Sequence, residues 1–237
     1  MPNPFFKFKQ FTIYHDRCAM KVGTDGVVLG AWANVHNTKK VLDIGVGSGL
    51  VSLMLAQRNN NISIDAIDID TEATKQAEEN IANSPFSQQI NCKNISLQEF
   101  DKECKTEYDL IVSNPPFFVD SLKSPNDKRT LARHTDSLYI DQLITISCRH
   151  LNTHGRIAII FPHIQKELLL ELAEQNKLYV SAITNIFPTP TASPKRLLIE
   201  FSRKETSLVE NNLIIEKERH VYTPEFTTLA KEFYLNM

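Results

Sequence analysis

Glycine is nearly absent from most of this 237-residue chain. Six of its seven glycines (Gly23, Gly26, Gly30, Gly45, Gly47, Gly49) precede residue 50, and only Gly155 follows. Glycine permits backbone conformations and close approaches that other residues resist, so the specialised loops belong to the first fifth of the chain. The chain also lacks any apolar run long enough to span a membrane. Met1 to Gln10 alternates Phe with Lys and has no apolar core of a signal peptide, so a cytoplasmic location is expected. Cys18, Cys92, Cys104 and Cys148 form no C-x-x-C pair, which argues against a structural zinc site and against a disulfide framework. No metal is expected. Neither charge sign is in excess: 26 Lys and Arg stand against 28 Asp and Glu, for a net charge of −2. Any nucleic-acid contact must therefore come from local basic patches. With 42% hydrophobic and 23% charged residues, the composition suggests neither disorder nor a fibrous repeat.

From residue 40 short apolar strands alternate with helical segments. Strands are expected over 40–44, 62–69, 90–95, 108–113 and 156–161, with helices over 50–57, 72–82, 137–151 and 164–175. Thr71 is the expected cap of the second of these helices. Two further strands, 179–187 and 196–201, follow each other around a proline-bearing loop with no helix between them. The pattern predicts an α/β fold: a mostly parallel, twisted sheet of about seven strands, one of them antiparallel, with helices on both faces. No repeat or linker interrupts it. Residues 1–237 are expected to form a single domain, in which 1–38 is an N-terminal extension contributing to the site and 39–237 is the core.

Val41-Leu42-Asp43-Ile44-Gly45-Val46-Gly47-Ser48-Gly49-Leu50 reads as a strand, a tight turn and a helix start. Its spacing is G-x-G-x-G, not the G-x-G-x-x-G of dinucleotide binders. Gly45, Gly47 and Gly49 allow the backbone to pass close to a ligand, and the helix amino terminus offers unpaired N–H groups. Asp43 places negative charge where a pyrophosphate would be repelled, but where the ammonium of an amino-acid moiety would be welcome. That charge logic favours S-adenosylmethionine over a dinucleotide. Asp68, at the tip of the next strand and roughly twenty residues beyond the turn, is the candidate for binding ribose hydroxyls. Asp70 is better suited to the positive end of the following helix. Upstream, the loop from Lys21 to Gly26 is placed to close over the methionine end of the cofactor, with Thr24 as a polar contact that also caps the next helix.

The strongest signal is Asp109-Leu110-Ile111-Val112-Ser113-Asn114-Pro115-Pro116-Phe117-Phe118. A buried strand runs straight into a diproline turn, at the carboxyl edge where open α/β sheets bind ligands. The prolines remove two donors and leave the Asn114 and Pro115 carbonyls free to accept; the Asn114 side chain adds a further acceptor. Acceptors converging on one spot suit a planar NH2 group, and Phe117 supplies a flat face for an unstacked base. Asn114, Pro115 and Phe117 are thus the catalytic candidates.

The order of glycine loop, acid and N-P-P-F resembles the Rossmann-like amino methyltransferases. More narrowly, His15-Asp16-Arg17-Cys18-Ala19-Met20-Lys21-Val22-Gly23-Thr24-Asp25-Gly26 is similar to the amino-terminal signature of the bacterial tRNA1(Val) adenine-37 N6-methyltransferases. The resemblance runs nearly the whole length, to Glu232-Phe233-Tyr234-Leu235. It implies a Rossmann-like fold, S-adenosylmethionine as cofactor, and methyl transfer to N6 of the adenine just 3′ of the anticodon of a valine tRNA. No membrane and no obligate protein partner is implied. It also implies a cofactor set of Lys21, Thr24, Asp43, Gly45, Gly47, Gly49, Asp68 and Asn114. Many relatives carry an acid after the third strand that contacts the cofactor adenine; here Asn94-Ile95-Ser96 stands in its place, and Ser96 is the substitute contact.

For RNA, the segment Leu122–His134 reads as a positively charged loop, with Lys123, Lys128, Arg129 and Arg133 as phosphate contacts. Lys195 and Arg196, in the proline loop, form a second candidate. N-P-P-F also fits a base amine of ribosomal RNA or a glutamine amide of a protein, and a catalytically silent RNA-binding module is the alternative outside enzymes.

Overall fold

Along each central strand apolar residues point alternately to opposite faces, and both faces are covered. Val41, Leu110, Val112 and Ala158 belong to one buried cluster, while Leu42, Ile111, Ile157 and Ile159 belong to the other. The central strands therefore carry buried apolar residues on both faces, as parallel strands covered on both sides require. The computed structural model describes residues 3–18, 20–116 and 128–237, the side chains of 128–138 excepted.

The parallel strands are β3 (Lys40–Ile44), β4 (Ser63–Asp68), β5 (Ile90–Asn94), β6 (Tyr108–Ser113) and β7 (Leu151–Pro162). Helices α2 (Leu50–Arg58), α3 (Thr71–Ala82), α4 (Leu97–Glu103) and α5 (Lys128–His150) lie between them in sequence. Helix α6 (Lys166–Gln175) leads to β8 (Tyr179–Phe187), then β9 (Arg196–Ser202) and β10 (Val209–Ile214). Among the described residues the main sheet has eight strands in the order β10-β8-β9-β7-β6-β3-β4-β5. Only β9 runs against its neighbours there, antiparallel to both β7 and β8. The expected mostly parallel sheet with one antiparallel strand is thus present, and β10 adds the eighth strand by pairing parallel to β8.

The chain leaves β3 toward β4 and β5 on one side, and later builds β6 and β7 on the other. The strand order reverses between β3 and β6, the place where open α/β sheets bind ligands. Ile44 and Ser113 end these strands in register, and the Ser113 hydroxyl donates to the Ile44 carbonyl at 2.8 Å. The glycine turn and the Asn-Pro-Pro turn therefore leave the sheet side by side.

The N-terminal segment forms a hairpin of β1 (Phe5–Lys7) and β2 (Thr12–Tyr14), followed by α1 (Thr24–Trp32). Phe8 packs against Phe11 and Tyr234, and near the C-terminus α7 (Pro224–Ala230) contributes Phe226 to the same buried cluster. No helix among the described residues is long and apolar enough to cross a membrane.

Three expectations need correction. The segment 122–134 is not a loop throughout, because α5 begins at Lys128. No glycine or proline interrupts residues 128–150, so nothing in the backbone stops a helix there; charge alone had suggested a loop. Helix α3 is capped by Asp70, whose carboxylate accepts from the N–H groups of Glu72 and Ala73, and not by Thr71, which lies one position inside. Likewise Gly23, in extended conformation, is the N-cap of α1; Thr24 is the first helical residue and makes no cap.

Candidate active site

Two cavities open at the switch point, of about 300 Å3 and about 380 Å3. Both are lined by Met20, Gly45, Gly47 and Asn114, so they meet at the two turns. The first continues along Asp68-Ile69-Asp70 to Ile95-Ser96-Leu97-Gln98 and Tyr139. The second continues along Lys21 to Gly26, with Arg196 in its wall.

Gly45 and Gly47 have φ of +80° and +54°, in the left-handed region that favours glycine. A Cβ at either position would meet nothing within 4 Å, so both face open space in the cavity. The turn is fastened from beneath. The N–H groups of Gly45 and Val46 donate to the Ile67 carbonyl, and Gly47 N–H donates to Asp68 Oδ2 at 2.9 Å. Gly49 lies in neither lining. It sits where α2 passes α3, its Cβ position 3.6 Å from Ala77, so its role is helix packing.

Asp68 lines the first cavity at the tip of β4, and its other oxygen accepts from Asp70 N–H at 2.9 Å. Asp43 is placed differently from the expectation of an ammonium partner. It is 2% exposed, lines neither cavity, and accepts the Ser52 hydroxyl at 2.6 Å beneath the turn. Burial pushes its carboxyl up to about 6, the Ser52 hydrogen bond opposing and nearby Asp68 adding to the rise. Ser96 lines the first cavity, but its hydroxyl is engaged in a capping box with Glu99. It donates to Glu99 Oε2 at 2.6 Å and accepts Glu99 N–H at 3.2 Å. The Ser-x-x-Glu spacing makes it a helix cap first.

Asn114 joins both cavities, and its Oδ1 is buried without a hydrogen-bond partner among the described residues. A buried carbonyl left without a donor is costly unless a ligand supplies one. Pro115 is buried and Pro116 lines the first cavity. Phe117 and Lys123 lie outside the described residues, as do the side chains of Lys128, Arg129 and Arg133 on α5. Lys195 is exposed on the loop between β8 and β9, its N–H donating to the Ile186 carbonyl. Arg196, expected beside Lys195 as a phosphate contact, instead donates through Nε to Asp25 Oδ2 at 2.7 Å in the cavity wall.

Sequence reasoning overlooked Asn80. It is 1% exposed, accepts Tyr14 N–H, and donates to the carbonyls of Tyr14 and Ser48, so it binds the N-terminal segment to the glycine turn. Its signal was a polar residue on the stripe formed by Ala73, Ala77 and Ile81, the buried face of α3. Arg17 adds a second fastening, to Gln76 and Glu79 of the same helix. The segment so held carries Cys18 and Met20 over the first cavity.

Residues 27–179 match the family model described as "Methyltransferase small domain". A protein of Parabacteroides distasonis named tRNA1(Val) (adenine(37)-N6)-methyltransferase is 51% identical over the whole of both chains. One of the same name from Flavobacterium psychrophilum is 46% identical, covering 98% of this chain and all of its own. Among solved structures, the predicted O-methyltransferase Atu636 of Agrobacterium tumefaciens superposes with a TM-score of 0.68 at 16% identity, covering 88% of this chain and 96% of its own. A ribosomal protein L11 methylase of Lactobacillus delbrueckii subsp. bulgaricus gives 0.59 at 18%, covering 81% and 84%. These two share the fold alone. With full-length identity of this order and a family model matching residues 27–179, the chain belongs to the tRNA1(Val) (adenine(37)-N6)-methyltransferase family, within the methyltransferase small-domain group.

Proposed function

We propose that this chain methylates N6 of adenine 37, next to the anticodon, in a valine tRNA, and that it does so in the cytoplasm. The single observation that carries the reading is the buried Asn114 Oδ1, without a donor among the described residues and placed where both cavities meet. The residues fit the cofactor: two glycines open onto the cavity, and a carboxylate stands at the tip of the next strand. S-adenosylmethionine supplies an electrophilic methyl group. Asp68 is assigned to the ribose hydroxyls, Gly45 and Gly47 to close backbone approach, and Lys21 and Thr24 to the methionine end. Asp43 supports the turn from below.

Asn114 Oδ1 accepts one N–H of the adenine amine and the Pro115 carbonyl accepts the other. Those bonds draw the nitrogen lone pair out of conjugation with the ring and hold it on the line of displacement. They also face the positive charge that develops on nitrogen as the N–C bond forms; the C–S electron pair would stay with the donor sulfur, leaving a neutral thioether, and the methylated amine would then release one proton to water. Lys123, Lys128, Arg129, Arg133 and Lys195 are assigned to phosphates around the exposed base. Adenine in an anticodon loop is already single-stranded, so presenting it costs less than opening a duplex.

The test is transfer from labelled cofactor to total tRNA lacking the modification, followed by nucleoside analysis. N6-methyladenosine in one valine tRNA is the expected result. Label in protein or in ribosomal RNA alone would overturn the assigned acceptor.

A further inference from the structure

Asp25 and Arg196 are separated by 171 residues and meet at the second cavity, Arg196 Nε donating to Asp25 Oδ2 at 2.7 Å. Both side chains are about two-thirds buried. Arg196 opens β9, the antiparallel strand, and its backbone position is held by the pairing with Pro162 on β7. Its guanidinium also donates to the Lys195 carbonyl. Asp25 lies in the first turn of α1, where a negative charge complements the helix end.

The residue after Asp25 shows why the pair matters. Gly26 is buried, and a Cβ there would lie 3.0 Å from Leu50 Cδ2 and 3.9 Å from Asn114 Nδ2. The first turn of α1 therefore rests on the first residue of α2 and against the Asn114 amide. Thr24, in that same turn, lines the cavity with Gly45 and Gly47. Whatever holds this turn in place sets the wall of the second cavity and one side of the Asn114 pocket.

We infer that Arg196 is a positioning residue, which through Asp25 locks the first turn of α1 against Asn114 and so shapes the cofactor cavity, and that it does not serve as a tRNA phosphate contact. This rests on the cofactor reading above. A charge-assisted Arg–carboxylate bond that is largely shielded from water gives a fixed geometry that an exposed pair would not. The same two charges have few consequences for net field, since they cancel locally.

The experiment is a double-mutant cycle read by calorimetry with S-adenosylhomocysteine, on R196Q, D25N and the double variant, with R196K as the conservative change. Thermal midpoints are recorded for each. R196Q and D25N are each expected to weaken binding about ten- to hundredfold, the scale for a charged hydrogen bond. The double variant should be no weaker than the worse single one, because both singles break the same link. R196K should recover part of the loss. If R196Q fails to fold, D25N, R196K and D25N/R196K close the same cycle. In parallel, tRNA affinity is measured across salt concentrations, and the slope for R196Q should equal that of the wild type. Binding of S-adenosylhomocysteine by R196Q within about threefold of wild type, with a salt slope lower by roughly one, would return Arg196 to the RNA and overturn the inference. Additive losses in the cycle would overturn it too. If the wild type bound no S-adenosylhomocysteine, the cofactor reading itself would fall, and the inference with it.

Discussion

The carboxylate of Asp68 accepts the backbone N–H of Gly47 at 2.9 Å through one oxygen and that of Asp70 at 2.9 Å through the other. One side chain thus fixes the glycine turn to the end of β4 while presenting its remaining lone pairs to the cavity. For Asp68→Ala we expect cofactor affinity to fall by roughly 1.5–3 kcal/mol, the range for a charged hydrogen bond. The loss of the Gly47 anchor should place the effect at the upper end. Calorimetry with S-adenosylhomocysteine decides it, and normal affinity would remove Asp68 from the ribose.

On the proposed reading, Asn114 should separate binding from chemistry. Its Oδ1 has no partner among the described residues, so removing it strands no buried donor there. Asn114→Ala should leave cofactor affinity almost unchanged and lower kcat by about 10²–10³, as for loss of one hydrogen bond made in the transition state. Single-turnover methylation alongside calorimetry is the check. An equal loss in cofactor affinity would take Asn114 out of the catalytic role.

Glycine substitutions should divide by location. Gly47→Val must adopt a φ of +54°, a conformation that costs a side chain about 1–2 kcal/mol, and it fills open cavity space. Cofactor binding should suffer more than stability. Gly30→Ala would bring a Cβ to 2.8 Å from Met54 Sδ in the core between α1 and α2. Its midpoint in urea should drop while cofactor affinity per folded molecule stays the same. Parallel losses in both variants would contradict the assignment of the turn.

Asp43 gives the apo protein a pH signature. Burial raises its carboxyl to about 6, so between about pH 4 and pH 6 the native state holds a proton that the unfolded state has released. Stability from this group is therefore greatest at low pH and falls as pH rises through that window. Asp43→Asn should remove this group's share of the slope and raise stability at pH 7.5 by about 1–3 kcal/mol, given 1.36 kcal/mol per pKa unit. Denaturation at pH 4.5 and 7.5 tests it. A steeper fall in the variant than in the wild type would show that Asp43 carries its charge without penalty.

Much of this architecture was legible in the residues alone. Apolar strands alternating with helices dictated the parallel sheet, and a glycine turn and an N-P-P turn after strands dictated two loops on its carboxyl edge. Local pattern suffices there because strand period, turn chemistry and helix caps are short-range properties. Their limits were also local. Thr71 and Thr24 were read as caps yet each lies one residue inside its helix, and Ser96, read as a cofactor contact, is itself a cap. A basic stretch read as a loop instead begins α5 at Lys128.

Which residues meet was decided by tertiary structure. The reversal of strand order between β3 and β6 is what brings Gly45 beside Asn114. Burial took Asp43 away from the cavity and gave it to Ser52. The fold also turned Arg196 toward Asp25, where sequence proximity to Lys195 had suggested RNA. The amino-acid sequence by itself determined the groups on offer: an Asn-Pro-Pro turn rich in acceptors, a glycine turn and an acid at the tip of the next strand. Only the tertiary structure decided which groups share a cavity, because hydrogen-bond partners and desolvation depend on neighbours far away along the chain, as Asp25 and Arg196 are at a separation of 171 residues.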